Sequence, residues 1–131
     1  MNAILRIGIV VLTLATAYIH TTLGSMLFLA NALGYLVLAV AMVLPIAWFE
    51  TNRWLVRAAL LGLTAATIVG WVMFGARFWL GYLDKAIEIG LIALLVIEMF
   101  RYDGGPAAVL RRSVDLAVSI VRMPFSRKSD A

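Results

Sequence analysis

ILRIGIVVLTLATAYIHTTLGSMLFLANALGYLVLAVAMVLPIAWF, residues 4–49, decides the fold, because Arg6 is its only charged side chain. As continuous helix these 46 residues would reach roughly 70 Å, about twice the thickness of a bilayer. The run must therefore turn back on itself. The natural break is His20-Thr21-Thr22-Leu23-Gly24-Ser25, where small polar residues and a glycine interrupt the apolar pattern. Backbone amides cannot enter hydrocarbon unpaired, so the two halves are read as membrane-spanning helices over residues 4–23 and 26–49. Pro45 should bend or loosen the last turn of the second by freeing the carbonyl of Ala41.

The rest of the chain repeats this alternation. Glu50-Thr51-Asn52-Arg53 reads as a short turn, and a third span follows over residues 54–74, with Arg57 near enough to its start to snorkel to the headgroups. Residues 75–82, aromatic and flanked by glycines, have the composition of an interfacial turn. A fourth span is expected at residues 83–100. Residues 1–103 thus form an up-down-up-down four-helix membrane domain with its first and fourth helices adjacent. Gly104-Gly105-Pro106 ends it. Beyond, Arg111, Arg112, Asp115, Ser119 and Arg122 recur at helical spacing opposite Leu110, Val114, Ala117, Val118 and Val121. Residues 104–131 are read as a basic amphipathic helix of about 17 residues lying in the interface, its arginines on lipid headgroups, followed by a mobile tail from Ser126.

The totals agree with a lipid environment. Of 131 residues 64% are apolar and 14% charged, with a mean hydropathy of +1.02, whereas soluble domains carry about a quarter charged residues. The net charge of +4 sits at the ends of apolar runs and in the tail, which points to membrane topology and not to nucleic acid. Arg6, Arg53, Arg57, Arg101, Arg111, Arg112, Arg122, Arg127 and Lys128 fall on one side of the predicted spans, and only Arg77 and Lys85 on the other. That bias places both termini in the cytoplasm. An arginine-rich, Ala-, Leu- and Val-rich composition suits a bacterial inner membrane. Arg6 ahead of an apolar run ending Ala15-Thr16-Ala17 is also the pattern of a cleavable leader, but an uncleaved first span is the simpler account.

Helices in lipid associate through close packing and polar contacts, and small residues mark the places of approach. Ala58, Gly62, Ala66 and Gly70 line one face of the third span at spacing four, a groove into which another helix should press. Ala30/Gly34 and Ala86/Gly90 are shorter versions. Charged groups inside a span cost at least roughly 2.5–3.5 kcal/mol at midplane, so Glu88 requires a reason. His20, Asn31, Tyr35 and Trp71 come to a similar depth from the other three spans, which makes one polar layer near the outer surface. Arg77, Asp84 and Lys85 form its outer rim. Glu98 has Arg101 three residues on and reads as an interfacial ion pair.

The absence of cysteine excludes disulfides, thiolate metal sites and cysteine nucleophiles. No nucleotide-binding, zinc-protease or serine-hydrolase motif is present, and one histidine gives no linear metal motif. No enzyme activity, metal or cofactor is therefore expected. The small soluble portions and the packing groove favour an accessory subunit of a larger membrane complex, with lipid and other membrane subunits as partners. An oligomeric proton- or cation-coupled transporter or channel using Glu88 and His20 is the alternative. A quinone- or haem-associated subunit comes third, since one histidine would need a methionine such as Met26 or Met73 opposite it to ligate haem.

Overall fold

The computed structural model describes residues 3–75 and 77–126, of which residues 124–126 are described in backbone only. Of the mobile tail expected from Ser126, residues 127–131 with Arg127 and Lys128 lie outside them, as does Ala76 of the second turn, while Ser126 itself is still helical. Of the described residues 88% are helical, with no strand among them. The helices are α1 (Ala3–Thr21), α2 (Met26–Val43), α3 (Ala47–Thr51), α4 (Arg53–Phe74), α5 (Trp79–Tyr102) and α6 (Pro106–Ser126).

Three of these, α1, α2 and α4, are long and apolar enough to cross a membrane. α5 is longer, at 24 residues, but carries Asp84, Lys85, Glu88, Glu98 and Arg101. The break between α1 and α2 falls where the sequence places it. Gly24 takes φ +74°, open to glycine at no steric cost, and Ser25 caps α2 by accepting from the Phe28 amide at 3.4 Å.

Two boundaries differ from expectation. α2 stops at Val43, six residues early, because Leu44 before Pro45 is pushed to an extended ψ of 122° and the proline ring cannot continue the helix. The chain then re-enters a single helical turn, α3, and Asn52 alone separates it from α4. The second difference bears on function. The aromatic stretch expected as an interfacial turn is already helical from Trp79, so α5 begins a turn earlier than residue 83. Asp84 and Lys85 are thereby carried below the rim.

The four long helices pack as a ring in which α1 meets α2 and α5, and α4 closes it by meeting both of those neighbours. Gly8 faces Leu94, Leu12 faces Gly90, and Thr16 reaches Asp84, so α1 and α5 run antiparallel side by side. α4 and α5 are antiparallel too, through Arg57–Glu98, Thr67–Glu88 and Trp71–Tyr82. Ile9, Tyr35, Met42, Leu60, Leu91 and Leu95 fill the centre with no exposed surface. The outside is also apolar: Leu33, Val37, Val69, Ile89 and Phe100 each expose about half or more of their surface.

Small residues act unevenly in this packing. A Cβ at Gly34 would meet Leu63 at 3.2 Å and one at Gly90 would meet Leu12 at 3.5 Å, so these glycines sit in helix contacts. The long stripe on α4 does not. Among the described residues nothing lies within 4 Å of a Cβ built at Gly62 or Gly70, so no described helix of this chain presses on the stripe at these two positions. α4 turns its Val56, Leu60 and Thr64 face inward instead, because its buried hydroxyl and arginine lie there.

Gly104 and Gly105, with φ of 80° and 104°, redirect the chain after α5. The Gly105 amide bonds the Met99 carbonyl at 2.9 Å, and a side chain at this position would strike the Phe100 ring. α6 is anchored at its start by buried Val109 and by Arg112, whose guanidinium lies 5.3 Å over the Trp54 ring. From Val114 to Met123 every side chain is exposed.

Candidate functional site

A buried charged cluster forms where α1, α2, α4 and α5 converge at the end of the ring that holds the α1–α2 and α4–α5 connections. α5 brings Asp84 and Glu88 to one face by their i, i+4 spacing, with Lys85 between them. The Lys85 ammonium donates to Asp84 Oδ2 at 3.1 Å and to Glu88 Oε2 at 2.8 Å. α1 supplies Thr16 and His20, again one turn apart. Thr16 Oγ1 donates to Asp84 Oδ1 at 2.6 Å and lies 3.1 Å from Glu88 Oε1. α2 contributes the Tyr35 hydroxyl, 3.3 Å from Glu88 Oε1, and α4 contributes Thr67, 2.9 Å from Glu88 Oε2.

Glu88 is completely buried, and Asp84 and His20 are each 2% exposed. Burying such groups is tolerable only because they are paired and hydrogen-bonded. Yet the hydrogen-bond supply is thin. Each hydroxyl has one hydrogen, while Thr16 has Asp84 and Glu88 within reach, Tyr35 has Thr67 and Glu88, and Thr67 has the Thr64 carbonyl and Glu88. Charge is equally short. Two ionised carboxylates against one ammonium leave a formal −1, which a proton or a cation would neutralise.

His20 faces this cluster from α1. Its Nδ1 lies 2.7 Å from the Thr16 carbonyl, an acceptor, so Nδ1 carries hydrogen and donates. Nε2 is left facing Glu88 Oε1 at 3.9 Å. Phe28 and Tyr35 flank the ring at centroid distances of 6.0 and 5.6 Å. Above the cluster opens a cavity of about 590 Å³, whose walls include Leu27, Phe28, Trp71, Phe74 and Phe78 and whose polar floor holds His20, Asn31, Thr67, Asp84 and Lys85. Below it, Ile9, Leu60, Leu91 and Leu95 form an apolar plug.

The structure brings His20, Tyr35 and Glu88 together as the sequence predicts. Asn31 and Trp71 line the cavity one step away, half-buried, and Trp71 stands edge-on to Tyr82. The outer rim is corrected for two residues. Asp84 and Lys85 belong to the cluster itself, because α5 starts early, and only Arg77 remains outside, stacked 4.2 Å from the Trp71 ring centroid. Thr67 is the participant that sequence reading passes over. Its signal was its spacing from Thr64 and Trp71 at i−3 and i+4 on an otherwise apolar helix. Met26 and Met73, the candidates for a haem pair with His20, are 83% and 65% exposed and so are turned away from it.

A second network closes the other end of the ring and overturns two expectations. Arg57 does not snorkel outward: it is buried, with Nε donating to Glu98 Oε2 at 2.9 Å and Nη1 to Asp103 Oδ1 at 2.8 Å. Glu98 accordingly pairs with Arg57 and not with Arg101, which is exposed. Tyr102 covers the guanidinium at 5.5 Å. Arg53 uses a carbonyl freed by the early end of α2, donating to Leu44 at 3.3 Å. Arg111 and Arg122 are exposed on α6.

Comparison with protein-family models, curated proteins and solved structures gives no match to this chain.

Proposed function

We propose that the protein crosses a bacterial inner membrane four times, through α1, α2, α4 and α5, and acts there as a small proton- or cation-coupled transporter. The observation that carries this reading is the cluster of Asp84, Lys85, Glu88 and His20, buried within one chain, short of one positive charge, and opening into a cavity at the outer end. A purely structural ion pair needs neither the open cavity nor the histidine. The charges of α5 fit a fourth crossing because Asp84, Lys85, Glu88 and Glu98 are all turned inward, while Ile89, Ile97 and Phe100 face out. The basic residues at the opposite end favour a cytoplasmic side for both termini. α6 lies in the cytoplasmic interface, with Leu110 and Val121, each about two-thirds exposed, in the acyl boundary and Arg111 and Arg122 on headgroups.

Transport requires the apolar plug to part while the cluster exchanges its bound charge. Reconstituted in liposomes with an internal pH dye and an imposed potential, the wild type should carry protons inward. Glu88→Gln should fall to the rate of protein-free vesicles, since a carboxamide can bind neither a proton nor a cation by charge. Equal rates in the two proteins would reject the reading.

One observation favours a second reading, an accessory subunit of a larger membrane complex. Ala66 and Gly70 of the α4 stripe line the cavity, but Gly62 lies away from it and meets no described part of this chain, and an unfilled small-residue face is what a neighbouring transmembrane helix packs on. Gly62→Phe should then abolish co-purification of any partner subunit from native membranes without altering the fold of the chain. A protein that runs alone with or without this substitution would dispose of the subunit reading.

A further inference from the structure

We propose that the outer cluster is a binding site for one divalent transition-metal ion of the Zn²⁺ type, held by His20 Nε2, Asp84 Oδ1, Glu88 Oε1 and Thr16 Oγ1. The inference rests on the reading of this cluster as a cation site, and names the cation.

His20, Asp84 and Glu88 each offer one ligand atom, and these atoms all lie within 4.8 Å of one another. Thr16 Oγ1 sits among them, 2.6 Å from Asp84 Oδ1 and 3.1 Å from Glu88 Oε1, while His20 Nε2 is 3.9 Å from Glu88 Oε1. Four donors around a Zn²⁺ at about 2.0–2.2 Å stand roughly 3.3 Å apart in a tetrahedron. The separations here run from 2.6 Å to no more than 4.8 Å, and Asp84 Oδ1 stands 3.9 Å from His20 Nδ1, so the imidazole and the Asp84 carboxylate must close on Glu88 to complete the tetrahedron.

An independent feature of His20 points the same way. The ring is 2% exposed, its Nε2 makes no hydrogen bond among the described residues, and it is aimed at a carboxylate oxygen. A neutral Nε2 facing a carboxylate oxygen in a buried site is repelled unless a proton or a metal cation stands between them. The Nδ1 bond to the Thr16 carbonyl is the outer support that metal-bound histidines ordinarily have, fixing the tautomer that presents Nε2. One imidazole with two carboxylates suits zinc, manganese or ferrous iron better than the thiolate-seeking metals.

Lys85 does not occupy this position. Its ammonium holds Asp84 Oδ2 and Glu88 Oε2, the oxygens on the far side from His20. It is a built-in competitor through charge, and its long stem reaches the cavity, into which the ammonium can withdraw as the metal enters.

Cobalt(II), a visible stand-in for zinc, tests the site when titrated into the full-length protein in detergent. The wild type should take up one ion per chain, develop the intense visible bands of four-coordinate cobalt, and release it to zinc. His20→Gln and Asp84→Asn should each weaken binding by at least the roughly 10–100-fold that loss of even an outer-shell partner costs. Lys85→Gln should tighten it, which a merely structural ion pair would not do. Circular dichroism identifies any variant that has lost its helices, and the wild-type titration stands without the variants. Absence of a wild-type spectrum, or binding unchanged in both ligand variants, overturns the proposal. Proton flux in chelator-treated vesicles separates it from the transport reading: flux without metal binding rejects only the metal, and metal binding without flux rejects only transport.

Discussion

Replacing Arg57 with alanine should destabilise the protein by about 3–5 kcal/mol, the cost of removing one partner from a buried ion pair. Glu98 would keep a carboxylate with no exposed surface, and Asp103 would lose the guanidinium that binds both of its oxygens at 2.8 and 2.9 Å. Glu98 cannot reach water without opening the end of the ring. The measurement is equilibrium unfolding in mixed micelles by graded denaturing detergent, read by tryptophan fluorescence. Arg101→Ala serves as the internal standard, because Arg101 is exposed and should change stability by no more than about 0.5 kcal/mol. Similar losses in both variants would show that Glu98 does not depend on Arg57.

The contrast between these two arginines shows where sequence reading reaches its end. The helices α1, α2, α4 and α5, the break at Gly24-Ser25, and the packing of α1 beside α5 follow from local rules, since backbone pairing and turn chemistry act over a few residues. Partner choice does not. From sequence, the partner expected for Glu98 is Arg101, three residues on, and the refuge expected for Arg57 is the headgroup layer. The bond that forms spans 41 positions and exists only because α4 lies against α5. The site was legible to the same degree. Depth counting brought His20, Tyr35 and Glu88 to one layer, but the glycines flanking an aromatic stretch made residues 78–82 look like a turn. With α5 starting at Trp79, Asp84 moves from the rim into the cluster, and a metal-capable group appears that no linear motif encodes. The α4 stripe teaches a related point: spacing-four small residues show that a face can be approached closely, not that this chain does so.

Filling the cavity should have the largest effect of any change that leaves the cluster intact. Gly70 lines the cavity and has nothing within 4 Å of a Cβ position, so Gly70→Phe can place its ring over His20 without striking backbone. Proton flux should drop to background and cobalt uptake should slow severely. Stability should hold or rise slightly, since a glycine inside a helix is worse than other residues by roughly 0.5–1 kcal/mol. Gly62→Phe lies on the same stripe two turns away and does not line the cavity, so it should leave flux unchanged. Loss of flux in both variants would mean that the stripe itself, and not access to the cluster, governs activity.

In the proposed four-crossing topology, the early start of α5 would also set how strongly membrane voltage can act on the cluster. Glu88 lies nine residues beyond Trp79, about 14 Å along the helix, which is under half of a hydrocarbon core about 30 Å thick. A charge passing from the outer aqueous phase to Glu88 therefore traverses only a minor share of the electric field. A full crossing is worth about 2.3 kcal/mol per 100 mV, so occupancy of the cluster feels about 1 kcal/mol of it. In that topology the greater part of the potential would drop across Leu91, Leu95 and their neighbours, so that this apolar layer, and not the carboxylates, would bear the voltage.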